Sequence, residues 1–181
     1  MLRARAASIV RLAEMSVDRT DPAERLVADH LDRLGVVYEM MPCDPDLADT
    51  AAFCAAYGVA PEDSANTIVV AGKPETRGHV ACVVLATTRL DVNGVVRRRL
   101  GTRKASFAPA DDVVTATGMA IGGVTPLALP DGLPLWVDAR VMERERIVLG
   151  AGSRYAKVLA PPAILTALGA EVVLDLAKPA G

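Results

Sequence analysis

Two glycine strings stand out in an otherwise aliphatic chain. The first runs Thr117-Gly118-Met119-Ala120-Ile121-Gly122-Gly123-Val124-Thr125-Pro126 and the second Gly150-Ala151-Gly152-Ser153-Arg154, with Val137-Asp138 between them. Glycine loses more backbone entropy on folding than any other residue, so it is kept where φ must be positive or where something approaches the main chain closely. Pro126 fixes φ at the end of the first string and stiffens it. Joined by a short strand-like segment, the two strings read as the walls of one small pocket. Its polar groups would be main-chain amides, which donate hydrogen bonds without any catalytic side chain.

Other residue types offer less. His30 falls mid-helix and His79 opens a strand, neither with a Ser or Cys partner at a recognisable spacing, so both read as structural. Cys43, Cys54 and Cys82 form no CxxC pair and stand beside no histidine cluster, which argues against a disulfide framework or a structural zinc site and for a reducing cytoplasm. Asp111-Asp112 after Pro109 reads as helix N-terminal charge. Asp138 either reaches the pocket or caps the segment 139–143.

Elements to position these residues can be read along the chain. Residues 3–17 give an extra N-terminal helix, so 1–20 are set apart from one domain over 21–181. Asp21-Pro22 is an N-cap with proline at the first helical position, and Gly35 sits where a helix ends, which predicts a helix over 22–34. A strand follows over 36–41 and a helix over 46–57, stopped by Gly58. The β-branched runs 67–71 and 79–87 predict buried strands. Asp91-Val92-Asn93-Gly94 is turn chemistry. A short helix (95–100), a strand (104–108) and a helix (109–117) ending at Gly118 come next. Strands are expected at 134–138, 145–149 and 171–175, with a helix at 161–168. There is no regular βαβ rhythm, which argues for an α+β or irregular, mixed α/β domain rather than a doubly wound sheet.

Composition narrows the function. With 181 residues the chain can bury a good core, and only 3% of them are aromatic, so that core is built from Ala, Val, Leu and Ile. Six scattered rings do not make a base-stacking platform. The net charge of −2 gives no whole-chain support to a generic nucleic-acid or membrane-surface role. The longest clear apolar run, 80–86, is far too short to span a bilayer.

The order of the pieces resembles the YbaK/ProX family of aminoacyl-tRNA editing domains, over about residues 22–176. The residues that carry the resemblance are the helix 22–34 and the strand after it, and the helix from Asp49 to Tyr57-Gly58-Val59. Further along they are Ala65-Asn66-Thr67-Ile68-Val69-Val70, Leu100-Gly101-Thr102-Arg103-Lys104-Ala105-Ser106-Phe107-Ala108, both glycine strings, and Val137-Asp138. Short glycine strings are weak signals, and the ordered set is the specific one. The resemblance implies a mixed, partly barrel-like central sheet flanked by helices. It also implies a trans-acting hydrolase that cleaves a mischarged amino acid from the 3′ end of tRNA without metal or organic cofactor. Its partners would be aminoacyl-tRNA and, in addition, an aminoacyl-tRNA synthetase. Main-chain amides would polarise the ester carbonyl. The substrate-binding set it implies is Gly122, Gly123, Val124, Thr125, Pro126, Asp138, Gly150, Gly152 and Ser153.

One departure matters. Many family members carry a functional lysine in the strand where this chain has Asn66, and an amide brings no charge. Lys73, seven residues on and about 23 Å along an extended strand, cannot stand in. Lys104 is the expected source of the lost charge. It belongs to a basic cluster, Arg97, Arg98, Arg99, Arg103 and Lys104, which is either a solvated face or a contact for tRNA acceptor phosphates. The alternative to a working deacylase is a catalytically weakened module that binds aminoacyl-tRNA or an amino-acid-like ligand.

Overall fold

Helix α1, Pro22–Leu34, is set by its ends: the Asp21 side chain accepts from the amides of Ala23 and Glu24, and Gly35 closes the helix at φ 65°. The computed structural model describes residues 21–72 and 78–180. The helix expected over 3–17, and Lys73, lie outside the described residues. After α1 come β1 (Glu39–Pro42), a 3₁₀ turn at Pro45–Leu47, and α2 (Thr50–Tyr57). The helix expected over 46–57 is thus broken in two at Ala48-Asp49.

The central sheet has five strands in the order β5-β2-β3-β6-β9, where β2 is Ala65–Gly72, β3 His79–Leu85, β5 Ala105–Phe107, β6 Leu135–Asp138 and β9 Glu171–Val173. β2 pairs antiparallel with β3 and β5, whereas β3–β6 and β6–β9 run parallel. Strand β3 is an uninterrupted apolar run because both its faces are covered. Ala81, Val83 and Leu85 face a core shared with Val27 and Leu31 of α1. Val80, Cys82 and Val84 face a second core with Val92, Val96, Trp136 and Leu176.

A three-stranded antiparallel sheet, β1-β8-β7, packs alongside, with β7 at Ile147–Gly150 and β8 at Ala156–Ala160. It touches the central sheet through the Ser64–Val148 bridge. A third ribbon pairs β4 (Thr88–Leu90) with β10 (Ala177–Pro179). Helices α3 (Arg97–Arg99), α4 (Ala110–Thr117), α5 (Ala139–Met142) and α6 (Ala163–Ala167) fill the connections. The class is mixed, with sheets flanked by helices, and among the described residues no sheet closes into a barrel. Strands β4, β8 and β10 were not expected from the sequence.

Leu31 is fully buried between α1 and the first core. Leu31→Ala should cost about 2–5 kcal/mol of unfolding free energy, read from the denaturant midpoint, because the cavity it leaves is lined by strands that cannot collapse into it.

Candidate active site

The two glycine strings do meet, but by direct contact. The Gly152 amide donates to the Gly123 carbonyl at 2.7 Å, and the Gly123 amide donates to Ala120 at 2.9 Å. A Cβ on Gly150 would come within 2.6 Å of the carbonyl oxygens of Gly123 and Val124, and one on Gly123 would run into the Ser153 backbone. Close approach of main chain to main chain is therefore what these two glycines serve. Gly152, at φ +93°, lies against Ala23 at the start of α1. The amides of Gly123 and Gly152 are spent inside the fold and do not face a ligand.

A cavity of about 350 Å³ opens beside this junction. Its floor is β2, from Ala65 to Val69, and β7, from Val148 to Gly150. Its sides are the Ala48–Thr50 turn, Phe53, Val113, and the loop residues Ile121, Gly122 and Val124. Phe107 and Ile121, 58% and 48% exposed, line it and reach solvent.

Of the expected site residues, Asn66, Gly122, Val124 and Gly150 line the cavity. Gly123, Gly152 and Ser153 hold the wall from behind; the Ser153 hydroxyl is bonded to the buried Glu24 carboxylate and accepts from the Tyr155 amide. Thr125 is fully buried and its hydroxyl accepts from the Leu127 amide. Pro126 lines a different hollow, with His30, Leu133 and Leu168. Asp138 is 1% exposed at the β6–α5 junction. Its carboxylate accepts from the amides of Arg140 (3.0 Å) and Ala177 (2.8 Å) and pairs with the Arg140 guanidinium, so it caps α5 and anchors β10. Lys104 is exposed on the approach to β5, outside the cavity lining. In its basic cluster, Arg99 is paired with Glu171 and lies 5.0 Å over the Trp136 ring, whereas Arg98 and Arg103 are exposed.

The sequence reading missed Lys157. It stands on β8 opposite Gly150, only 7% exposed, and its side chain enters the cavity wall. Its ammonium donates to the carbonyls of Ala48 (2.8 Å) and Gly122 (3.2 Å) and sits 5.6 Å from the centre of the Phe53 ring. Burial pulls its pKa below the ordinary lysine value, an effect the nearby Cys43 opposes and Arg154 reinforces. Arg154 supports the same turn, donating twice to the Pro45 carbonyl (3.0 and 2.7 Å). On the facing wall, the Thr50 hydroxyl donates to the Asn66 amide oxygen at 2.6 Å. The signal for Lys157 was a lone lysine inside the apolar run 156–165.

Burial pushes the Cys82 thiol up to about 12 and raises that of Cys43 as well, so neither forms the thiolate a nucleophile needs. Among the described residues, no three His, Cys, Asp or Glu side chains are placed to hold a metal ion, and no helix is long and apolar enough to cross a membrane.

Gly123→Ala should force the two loops apart. We expect a loss of about 2 kcal/mol or more in stability, by denaturant titration, together with a widened cavity. Asp138→Ala should cost about 3 kcal/mol, because it strips the buried Ala177 amide and the Arg140 amide of their acceptor and leaves the Arg140 guanidinium with Asp175 as its one carboxylate, while Asp138→Asn recovers part of it.

The sequence matches the aminoacyl-tRNA editing domain over residues 44–168. Among solved structures, the chain superposes on a proposed trans-editing enzyme for prolyl-tRNA synthetase with a TM-score of 0.76 at 24% identity, covering 88% of this chain and 99% of that one. It is likewise similar to the hypothetical protein APE2540, with a TM-score of 0.76 at 26% identity over 84% of this chain and 99% of that one. The matched stretch runs through every segment that lines the cavity, from the Ala48–Thr50 turn to Lys157, and the chain belongs to the aminoacyl-tRNA editing domain family.

Proposed function

We propose that the chain hydrolyses the ester between a wrongly attached amino acid and the 3′-terminal ribose of a tRNA, acting in trans. The observation that carries this reading is the cavity itself. Its volume lies at the low end of ligand pockets, about 300–1,000 Å³. That is room for one aminoacyl group and the edge of a ribose, and it excludes a folded protein or a duplex. The inner wall is aliphatic, with Val69, Val113, Val124 and Leu149, which suits a small apolar side chain. A synthetase cannot strongly reject a slightly smaller side chain by binding alone, so a second sieve of this kind has work to do.

The chemistry is an addition and an elimination. Water adds its oxygen to the acyl carbon, the carbonyl oxygen takes the negative charge, and the tetrahedral centre collapses with cleavage of the acyl–ribose C–O bond. The ribose oxygen leaves with a proton, and a second proton is released from the new carboxylic acid. The neighbouring ribose hydroxyl positions the water and distinguishes RNA from DNA. Asp49 stands at the cavity with its carboxylate 77% exposed and no capping bond to its own helix, so it can meet the substrate's α-ammonium. Asn66, steadied by Thr50, is the group that orients the ester or the terminal adenosine. The exposed Lys104, Arg98 and Arg103 are placed outside the cavity, where acceptor phosphates would pass.

The test is deacylation of a panel of mischarged tRNAs. At least one should be cleaved well above its spontaneous rate, and a panel that stays intact would remove the proposal. Val124→Phe should lower kcat/KM for the preferred substrate by about tenfold or more while sparing smaller aminoacyl groups, because the added ring fills the acyl end of the cavity.

A further inference from the structure

We propose that Lys157 is a catalytic residue, its ammonium supplying from β8 the positive charge that faces the ester carbonyl oxygen in this cavity. The inference rests on the deacylase reading above and assigns the charge that reading lacks. Main-chain amides were the expected donors, yet those of Gly123 and Gly152 are consumed by loop contacts. Asn66 carries no charge, and Lys104 is outside the cavity lining. Cys43 and Cys54 are thiols, and Arg154 is turned onto the Pro45 carbonyl and the Asp49 carboxylate. Lys157 is thus the cation whose side chain lines the cavity among the described residues.

Its geometry fits the task. An ammonium has three donors, and the carbonyls of Ala48 and Gly122 take two of them. The third is left for the cavity. Those two bonds and the Phe53 face also fix the nitrogen in place, so the charge is preorganised and needs no rearrangement as the oxyanion forms. Lys157 and Asn66 approach the same short turn from opposite walls: one binds the carbonyl of Ala48, the other the hydroxyl of Thr50, two residues on. A lysine at position 66 would start from the facing wall and bring a cation into the same cavity.

The titratable groups around Lys157 are the Asp49 carboxylate, the Arg154 guanidinium and the thiols of Cys43 and Cys54. The ammonium acts only when protonated. Burial lowers its pKa, so activity should fall as pH rises, beginning below the usual lysine value of 10.5.

The experiment uses the full chain and the mischarged tRNA it cleaves best, with spontaneous hydrolysis subtracted. Lys157→Met should lower kcat by about a hundredfold with little change in KM, and should abolish the alkaline fall. Lys157→Arg should keep part of the rate. The double variant Asn66→Lys/Lys157→Met should recover rate over Lys157→Met alone. A merely structural lysine would not be replaced from β2, since a residue at 66 need not restore the bonds to Ala48 and Gly122. An unfolding midpoint for each variant separates lost catalysis from lost fold. Wild-type rate and pH profile in Lys157→Met would overturn the assignment of Lys157 and leave the deacylase reading standing. An unfolded Lys157→Met hands the decision to Lys157→Arg and the double variant, and failure of both to show activity when folded would likewise overturn it. A wild-type protein inert on every tRNA would overturn both.

Discussion

The buried ammonium of Lys157 ties together three pieces of chain that are far apart in sequence. It takes the carbonyl of Ala48 from the turn before α2, the carbonyl of Gly122 from the first glycine loop, and it is itself carried by β8 directly after the second. A lone ammonium out of water is costly, so it persists only where oxygen acceptors and a π face compensate it. The same contacts define the cavity, because each of the three bonded segments is one of its walls. Arg154 repeats the pattern a few residues earlier, clasping Pro45 and Asp49. The site is thus built by two cations that draw backbone carbonyls inward. The glycines allow the walls to come close enough for this to happen.

That division of labour explains how much of the molecule the sequence disclosed. Helix α1 was legible to the residue because both of its ends are chemical signals, Asp21 before proline and Gly35 after Leu34. Strand β3 was legible because a doubly covered strand is apolar throughout, and β2 because its β-branched run Thr67–Val70 marks a strand beside it. Strand β8 was hidden. It follows a turn of small residues, is five residues long, and has a lysine in second place, so neither alternation nor an apolar run announces it. β4 and β10 are three residues each and exist by pairing with one another, a long-range relation that local pattern does not contain.

The glycine strings were read as two pocket walls facing a ligand; Gly122 and Gly150 line the cavity, while Gly123 and Gly150 also bring the two loops into direct contact. Close approach was needed, but between two backbones and not between a backbone and a ligand. Sequence shows where a Cβ is absent and not what occupies the vacated space. Asp138 shows the same ambiguity: a carboxylate at a strand end can face a pocket or cap a helix, and here it accepts from Arg140 and Ala177. Asn66 was singled out through the family resemblance and not by strand pattern, which began the strand at Thr67; β2 starts at Ala65 and carries Asn66 into the cavity lining.

Position 66 and position 157 lie on different sheets, and nothing in local sequence links them. What links them is the Ala48–Thr50 turn, which both walls contact. A pocket of this kind constrains where a charge must be and leaves open which strand delivers it, because a long flexible stem can reach one point from either side. The lysine on β8 has a further consequence for the fold. Lys157 stands opposite Gly150 in the β7–β8 register, and Gly150 is the residue whose absent Cβ lets the two glycine loops touch. The closure of the wall at Gly150 and the bond from Lys157 to Gly122 act on the same loop, so changes at 150 and 157 should not be independent of each other in stability.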